Sequence, residues 1–578
     1  MKYRLSFARP KEHIVSIHLQ LIAPQDTLTF ALPFWRPGRY AAQSFARNIG
    51  DLQAQDEQGK VLPIQRISKL KWTVEAKQGQ TVHLHYDYYT HQLDAGGSFY
   101  DENGIYINGI TLFLSLEGYL DQACQLELEI PTDYQVAGAM HGKGPVYAFE
   151  DYHQLVDSPF FAAPELSLRK FNVGELAVYL WFMGECMPDL DRMERDIKAY
   201  SEAQIAFFGE CPVDEYHYLN LLLPYRYRHG VEHYNSTVIV MGPAHQLMER
   251  DMYRSFLEIS SHEFFHTWNV KALRPADLFP YRYDAEVYSR LHYVTEGVTT
   301  YYGDLMLWKS GIYGPQQWLD SVNGELRSFY SMGGREVISL GKASHESWIN
   351  GYDDTGMPNR RISFYTKGYL VAMLLDFTLR RGTQDRVSLD LVMRQLYHKI
   401  TREKRAYTRE DFQGLIEELS GESYEGFFAD YIEGTRSLET LLSELAEYYG
   451  LQMRSVPLGN LALSAWGLKA KATERGVLVE KILPQSPLIE AGIHPGDTII
   501  SLNRTQIQED FEALLAYEWQ KGSIEIHFFK RSQLQSARIK CSANFAYTVP
   551  QFWLIANQED PQFTRFQAWR NISSQSVH

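Results

Sequence analysis

The sequence predicts a multidomain α+β protein: an all-β N-terminal domain, a mixed α/β unit that runs into helices, and a small C-terminal β-rich module. Three observations carry that reading. The chain has 578 residues, too many for one hydrophobic core. Its first third alternates apolar and polar residues with a period of two, whereas the middle places apolar residues at three- and four-residue steps. Short strand-and-turn signals return near residues 455–545.

In the first third, "HIVSIHLQL" puts Val15, Ile17, Leu19 and Leu21 on one face, and "TVHLHYDYY" does the same with Val82, Leu84, Tyr86 and Tyr88. The stretch "QLELEIP" repeats the pattern, so an all-β domain is expected over residues 1–170. His83 and His85 fall on the solvent-facing half of the alternation, where a metal role is not expected. Between residues 171 and 445, the strands "YHYLNLLLP" and "STVIVMGP" lead into "RSFLEISSHEFFHTWN", "LHYVTEGVTTYYGDLMLW", "FYTKGYLVAMLLDFTLRR" and "SLDLVMRQLYHKI", all of helical period. Thr408, with Asp411 three residues on and Gly421 beyond the end, marks the start and stop of a further helix. A third unit is expected at 446–545 and a tail at 546–578, whose aromatic residues from Phe545 to Trp569 would fold back on another domain.

Composition excludes several functions. A formal charge of −15 without any basic block argues against nucleic acid or an anionic membrane as partner. No run of about 18 apolar residues is present and the first residues lack a secretory pattern, so a cytoplasmic protein is expected. Cys124, Cys186, Cys211 and Cys541 form no paired spacing, which excludes a zinc ribbon or a disulfide framework and fits a reducing compartment.

The chemistry starts at "HEFFH". On a helix, His262 and His266 stand one turn apart on one face, so both imidazoles can reach one ion. Glu263 lies about 100° round the helix from His262, placed to bond a water without ligating. The alternative makes both histidines satisfied core residues beside Phe264, Phe265 and Trp268. A catalytic zinc needs a third protein ligand and an open position. Glu296, in a segment of helical period crowded with aromatic residues, supplies a carboxylate that is costly to bury unless paired or ligating.

"HEFFHTWNVKALRP" followed by "TEGVTTYYGDL" resembles the glycyl aminopeptidase family of zinc metallopeptidases, family sixty-one among metallopeptidases, and "EDYHQLVDSPF" is similar to the same family. The Trp-Asn-Val-Lys and Leu-Arg-Pro continuations are not required by zinc chemistry, which makes the match specific. The resemblance implies a β-rich N-terminal domain, a thermolysin-like catalytic domain with a helical C-terminal part, and a PDZ domain. It also implies one zinc ion on His262, His266 and Glu296, with Glu263 as general base. "GVEHYNS" resembles an edge strand of the wider aminopeptidase group in which a glutamate binds the substrate's α-amino group. Glu232 takes that place, although Val231, His233 and the position of Asn235 depart from the pattern. "FYTKGYL" resembles the segment whose tyrosine stabilises the oxyanion, which points to Tyr365, with Tyr369, Tyr301 and Tyr302 as competing donors.

The implied activity is removal of N-terminal residues, Gly or Ala by family preference, from peptides with a free N-terminus. "GVLVEKILPQSPLIEAGIHPGDTIISLN" is similar to PDZ domains of bacterial proteases, and "AWGLKA" at 465–470 stands where such domains receive a peptide carboxylate, with the Gly467 amide exposed. The module would bind a peptide C-terminus or strand, or merely pack on the catalytic domain. An endopeptidase and a catalytically weak PDZ peptide-binding protein are the alternatives.

Overall fold

The computed structural model describes residues 1–185, 187–352, 356–542, 544–555 and 561–571. Cys186, and residues 556–560 and 572–578 of the expected tail, lie outside them. Cys124, Cys211 and Cys541 are free thiols.

The N-terminal part is built on a seven-stranded and two four-stranded sheets. Strands Ile14–Ile22 and Thr81–Tyr89 pair antiparallel with Val15 opposite Tyr88, Ile17 opposite Tyr86, Leu19 opposite Leu84 and Leu21 opposite Val82. All eight side chains are buried, so the period-two pattern fixes the register: a slip of one residue would turn every one of them to solvent.

The strand Ser167–Val173, which straddles residue 170, belongs to the next unit. It starts a five-stranded sheet in the order Ser167–Val173, Leu176–Met183, Glu215–Leu222, Ser236–Gly242, Tyr227–Glu232. The central pairings are parallel and Ser236–Gly242 is buried at every position, as expected of a strand covered on both faces. Tyr227–Glu232 pairs antiparallel with it and forms the sheet edge. The helix Arg250–Phe265 packs on this edge, and Thr299–Lys309 and Phe364–Thr383 pack behind it in one large core. Thr408 and Asp411 form a capping box, and Gly421 ends that helix in the left-handed region.

The third unit is a six-stranded antiparallel sheet made of strands between Leu468 and Lys540, with the helix Phe511–Trp519 against it. Ser486 and Pro487 open a short helix there, and the strand Thr498–Leu502 follows Gly496 and Asp497. One expectation is corrected: the Gly467 amide is not exposed. It donates to Leu463 O at 2.9 Å and closes the helix Leu461–Trp466 at a φ of +62°, and a Cβ there would meet the Tyr547 ring at 2.7 Å. The six residues before the glycine wind into a helix, which consumes the amide that an open loop would have presented.

Outside that sheet, Leu451–Pro457 pairs with Thr548–Leu554 and both pack on the helical core. Phe566 and Trp569 are buried there too, with Trp569 stacked 4.5 Å from Tyr449 and its Nε1 donating to Asp376 at 2.9 Å. Among the described residues no helix is long and apolar enough to cross a membrane.

Candidate active site

The helix Arg250–Phe265 carries His262 and Glu263, and His266 follows at its C-cap. One turn of separation brings the two imidazole Nε2 atoms to 3.1 Å. Glu296 enters from a π-helical turn, Tyr293–Val298, with Oε2 3.4 Å from His266 Nε2 and 3.9 Å from His262 Nε2. A π-turn shifts a side chain relative to α-helical register, a device common at functional sites. The three donors converge within 4.8 Å, so the structure brings together the three residues expected to ligate.

His266 Nδ1 bonds to the backbone oxygen of Asn269 at 2.8 Å. A carbonyl can only accept, so Nδ1 holds the proton and Nε2 keeps its lone pair free for a metal. Asn269 is fixed in turn by donating to Val294 O at 2.9 Å and Thr299 Oγ1 at 3.0 Å. The asparagine after the motif histidines thus links the His-bearing helix to the Glu296 segment.

The edge strand Tyr227–Glu232 runs along the other side of the helix. Alternation turns Arg228, Gly230 and Glu232 to one face. Gly230 lies so close to Glu263 that any Cβ would collide with its carboxylate, which is a packing reason for glycine there. Glu232 lies beyond it, 5% exposed, and its carboxylate joins Glu263 and His266 within 4.8 Å. Gly38, from the N-terminal domain at a φ of +79°, seals Glu232 from above, where a Cβ would strike the carboxylate.

His233 faces the opposite way. Its Nδ1 meets Asp157 at 2.9 Å, and Asp157 also accepts from Tyr234 N at 3.1 Å and from Lys271 Nζ at 3.1 Å. One carboxylate therefore ties together three of the quoted stretches: the end of the N-terminal domain, the edge strand and the segment after the HExxH helix. Lys271 and His233, with burial opposing, hold the Asp157 carboxyl down to about 2.

Burial, with Glu232 and Glu296 nearby, pushes the Glu263 carboxyl up to about 8. Burial and Glu232 also raise Glu296 against the pull of His266. Burial works to lower His266, but Glu296 lifts it to about 9. All three directions mean that the cluster favours added positive charge. Glu232 Oε1, Glu263 Oε2 and Glu296 Oε1 are buried without a hydrogen-bond partner. Two imidazoles and a carboxylate surrounded by unpaired carboxylate oxygens fit a divalent cation, and this donor set suits zinc.

Tyr365, at the start of the helix Phe364–Thr383, lines a cleft of about 770 Å³ together with His262 and Glu263. Its competitors do not line this cleft. Tyr301 donates to Asp376 at 3.1 Å and Tyr302 to Asp390 at 3.0 Å, both inside the helical core, and Tyr369 is fully buried.

Sequence reasoning missed the loop Arg36–Tyr40. Arg36, Gly38 and Arg39 line the same cleft, and Tyr40 lies within the field of Glu296 and Glu232, its N–H donating to the Tyr352 hydroxyl at 3.0 Å. The proline and glycine of "WRPGRY" signal a turn, but nothing in the sequence says that the turn reaches a site about 200 residues away. The His18 ring stacks on those of His83 and His85 at centroid distances of 5.2 and 4.4 Å, and His18 Nε2 shares a hydrogen bond with His83 Nδ1 at 2.9 Å.

Residues 2–164 match the Peptidase M61 N-terminal domain, and residues 255–371 match the M61 glycyl aminopeptidase domain. The solved structure of an aminopeptidase N family protein from Idiomarina loihiensis aligns over 99% of this chain and 100% of its own, at 25% identity and a TM-score of 0.88. An M1 zinc metallopeptidase from Deinococcus radiodurans covers 75% of this chain and 93% of its own at 15% identity, with a TM-score of 0.47. Comparison with curated proteins finds no match. Fold and site define a metallopeptidase of the aminopeptidase class, with an N-terminal β domain and a helical C-terminal part to its catalytic unit. Within that class, the chain resembles the M61 glycyl aminopeptidase family, whose N-terminal and catalytic domains are the two that it matches.

Proposed function

We propose that this enzyme removes single N-terminal residues, small ones such as Gly or Ala, from peptides with a free α-amino group. The observation that carries the reading is Glu232: a buried carboxylate with an unpaired oxygen, within 4.8 Å of Glu263 and His266 and closed over by Gly38. An ammonium is the group that such a carboxylate is built to pair with. With Glu232 within 4.8 Å of Glu263, an amine paired with it would stand next to the reacting bond, which would make that bond the first.

His262, His266 and Glu296 would hold one zinc ion, which when bound supplies Lewis acidity towards the scissile carbonyl and a lowered water pKa. Glu263 takes a proton from the attacking water and delivers it to the leaving nitrogen, and its raised affinity for protons suits both halves of the transfer. Tyr365 donates a hydrogen bond to the developing oxyanion, and Tyr352, its hydrogen-bond neighbour, orients it. Gly38 keeps water from Glu232, which strengthens the pairing with the substrate amine.

We keep the division expected at 1–170, 171–445 and 446–545, with a tail at 546–578, but move the first limit back to the start of the strand Ser167–Val173. The third unit we read as a PDZ module, supported by its antiparallel sheet and the helix Phe511–Trp519. With Gly467 engaged, its binding mode would be strand addition along Leu468–Thr473, which forms a sheet edge. Free thiols support a reducing, cytoplasmic setting.

The test compares alanine release from Ala-Ala-Ala with cleavage of its N-acetylated form, in the natural protein and in Glu232→Ala. The reading predicts cleavage of the free peptide only, lost in the variant. Equal cleavage of the blocked peptide would identify an endopeptidase instead.

A further inference from the structure

Resting on the reading just given, the structure assigns a cation-binding subsite on the leaving side of the scissile bond, formed by Asp304 and Glu325, that takes a lysine or arginine side chain of the substrate's second residue.

Direction comes from the edge strand. Glu232, Gly230 and Arg228 are alternate residues on one face, about 6.6 Å apart. Glu232 marks the amine end and Gly230 covers Glu263 at the reacting bond, so the chain beyond that bond passes towards Arg228. The cleft continues in this direction past Ile259 and Glu258, on the turn of helix before His262, to Asp304 and Glu325.

Three carboxylates and two arginines meet there, and they are not matched. Arg254 is committed to Glu258 at 2.8 Å and to Ser321 Oγ at 2.8 Å, with its guanidinium over the Tyr313 ring. Arg228 is exposed at the cleft mouth. Among the described residues, neither Asp304 nor Glu325 takes part in an ion pair, and Glu325 Oε2 is enclosed without a hydrogen-bond partner. The Tyr369 hydroxyl, fully buried and also without a partner, lies in the field of the same carboxylates. Burial and the neighbouring Glu258 and Glu325 carboxylates hold the Asp304 carboxyl well above the usual range, which marks a place short of positive charge.

A small metal ion does not meet this need. Only two sets of described residues bring three ligand atoms within 4.8 Å, and neither includes Glu258, Asp304 or Glu325. Carboxylates spread along a cleft wall suit an elongated ammonium or guanidinium side chain, whose methylenes would lie against Ile259.

The experiment uses the zinc-loaded full chain and measures kcat/KM for alanine release from Ala-Lys-Ala, Ala-Arg-Ala, Ala-Leu-Ala and Ala-Glu-Ala. The expected result is a preference of about tenfold or more for the basic pair over Ala-Leu-Ala, the size of one desolvated charge pairing. In Asp304→Asn and Glu325→Gln the Lys-to-Leu ratio should fall several-fold, and in the double variant approach one. Equal rates for all four peptides in the natural protein would overturn the subsite while leaving the aminopeptidase reading intact, and this comparison does not depend on any variant folding. Variants that lose activity on all four peptides in parallel would also overturn it. Release from none would overturn both readings.

Discussion

Replacing Asp157 by alanine should cost both stability and substrate binding, for reasons that can be worked through from its partners. The carboxylate accepts from His233, Tyr234 N and Lys271, and the Lys271 side chain is only 1% exposed. Its carboxyl is held down to about 2, against about 3.9 in an unfolded chain, a difference worth about 2.5 kcal/mol at neutral pH. Truncation costs more than this, because it also leaves the Lys271 ammonium buried and unpaired, and removal of one partner from such a pair typically costs about 3–5 kcal/mol. Thermal unfolding monitored by circular dichroism should then fall by on the order of 10 °C. The sign with pH follows from the lowered value: the carboxylate's contribution is fully present above about pH 4 and is lost as pH falls towards 2. Because His233 adjoins Glu232, the same variant should raise KM for free-amine peptides. The double variant Asp157→Asn, Lys271→Met removes both charges and should recover part of the loss. An Asp157→Ala protein within about 1 kcal/mol of the natural one, with KM unchanged, would refute the idea that this carboxylate holds the edge strand in place.

Glu263→Gln should keep its zinc, read by elemental analysis, while kcat falls by about 10²–10⁴, and an active variant would remove Glu263 as the base. Tyr365→Phe should lower kcat by about 10²–10³ with little change in KM, the signature of a donor used only in the transition state. Lys367 is 1% exposed with no partner for Nζ, and burial lowers its ammonium from 10.5 to about 8. The folded state holds that proton less tightly than the unfolded chain, so a penalty of about 3 kcal/mol is complete below pH 8 and disappears as pH rises to 10.5. Lys367→Met should be more stable at pH 7, and denaturant titrations across this window should show a rise for the natural protein alone.

Local signals made much of the fold legible. Period-two alternation located Ile14–Ile22 and Thr81–Tyr89 because one face of each is buried, and the Thr408 box and Gly421 located a helix by its ends. Helical spacing pointed to His262, Glu263 and His266, and the cost of an unpaired carboxylate among aromatic residues to Glu296, while the family resemblance of the flanking residues made the reading specific. What escaped is what depends on distant chain segments meeting. The loop Arg36–Tyr40 reaches the cleft from the N-terminal domain, and the Asp157 partners come from two other stretches, 233–234 and 271. The Gly467 amide was expected to be exposed, but whether it faced solvent or closed a helix depended on the six residues before it winding up.

Zinc content and exopeptidase turnover, measured on one preparation, test the central claim most directly. One equivalent of zinc is predicted, with release of glycine or alanine from unblocked peptides that stops on chelation and returns on adding zinc. A protein that holds no zinc after reconstitution, or that releases the same residues undiminished after the metal is stripped, would contradict it.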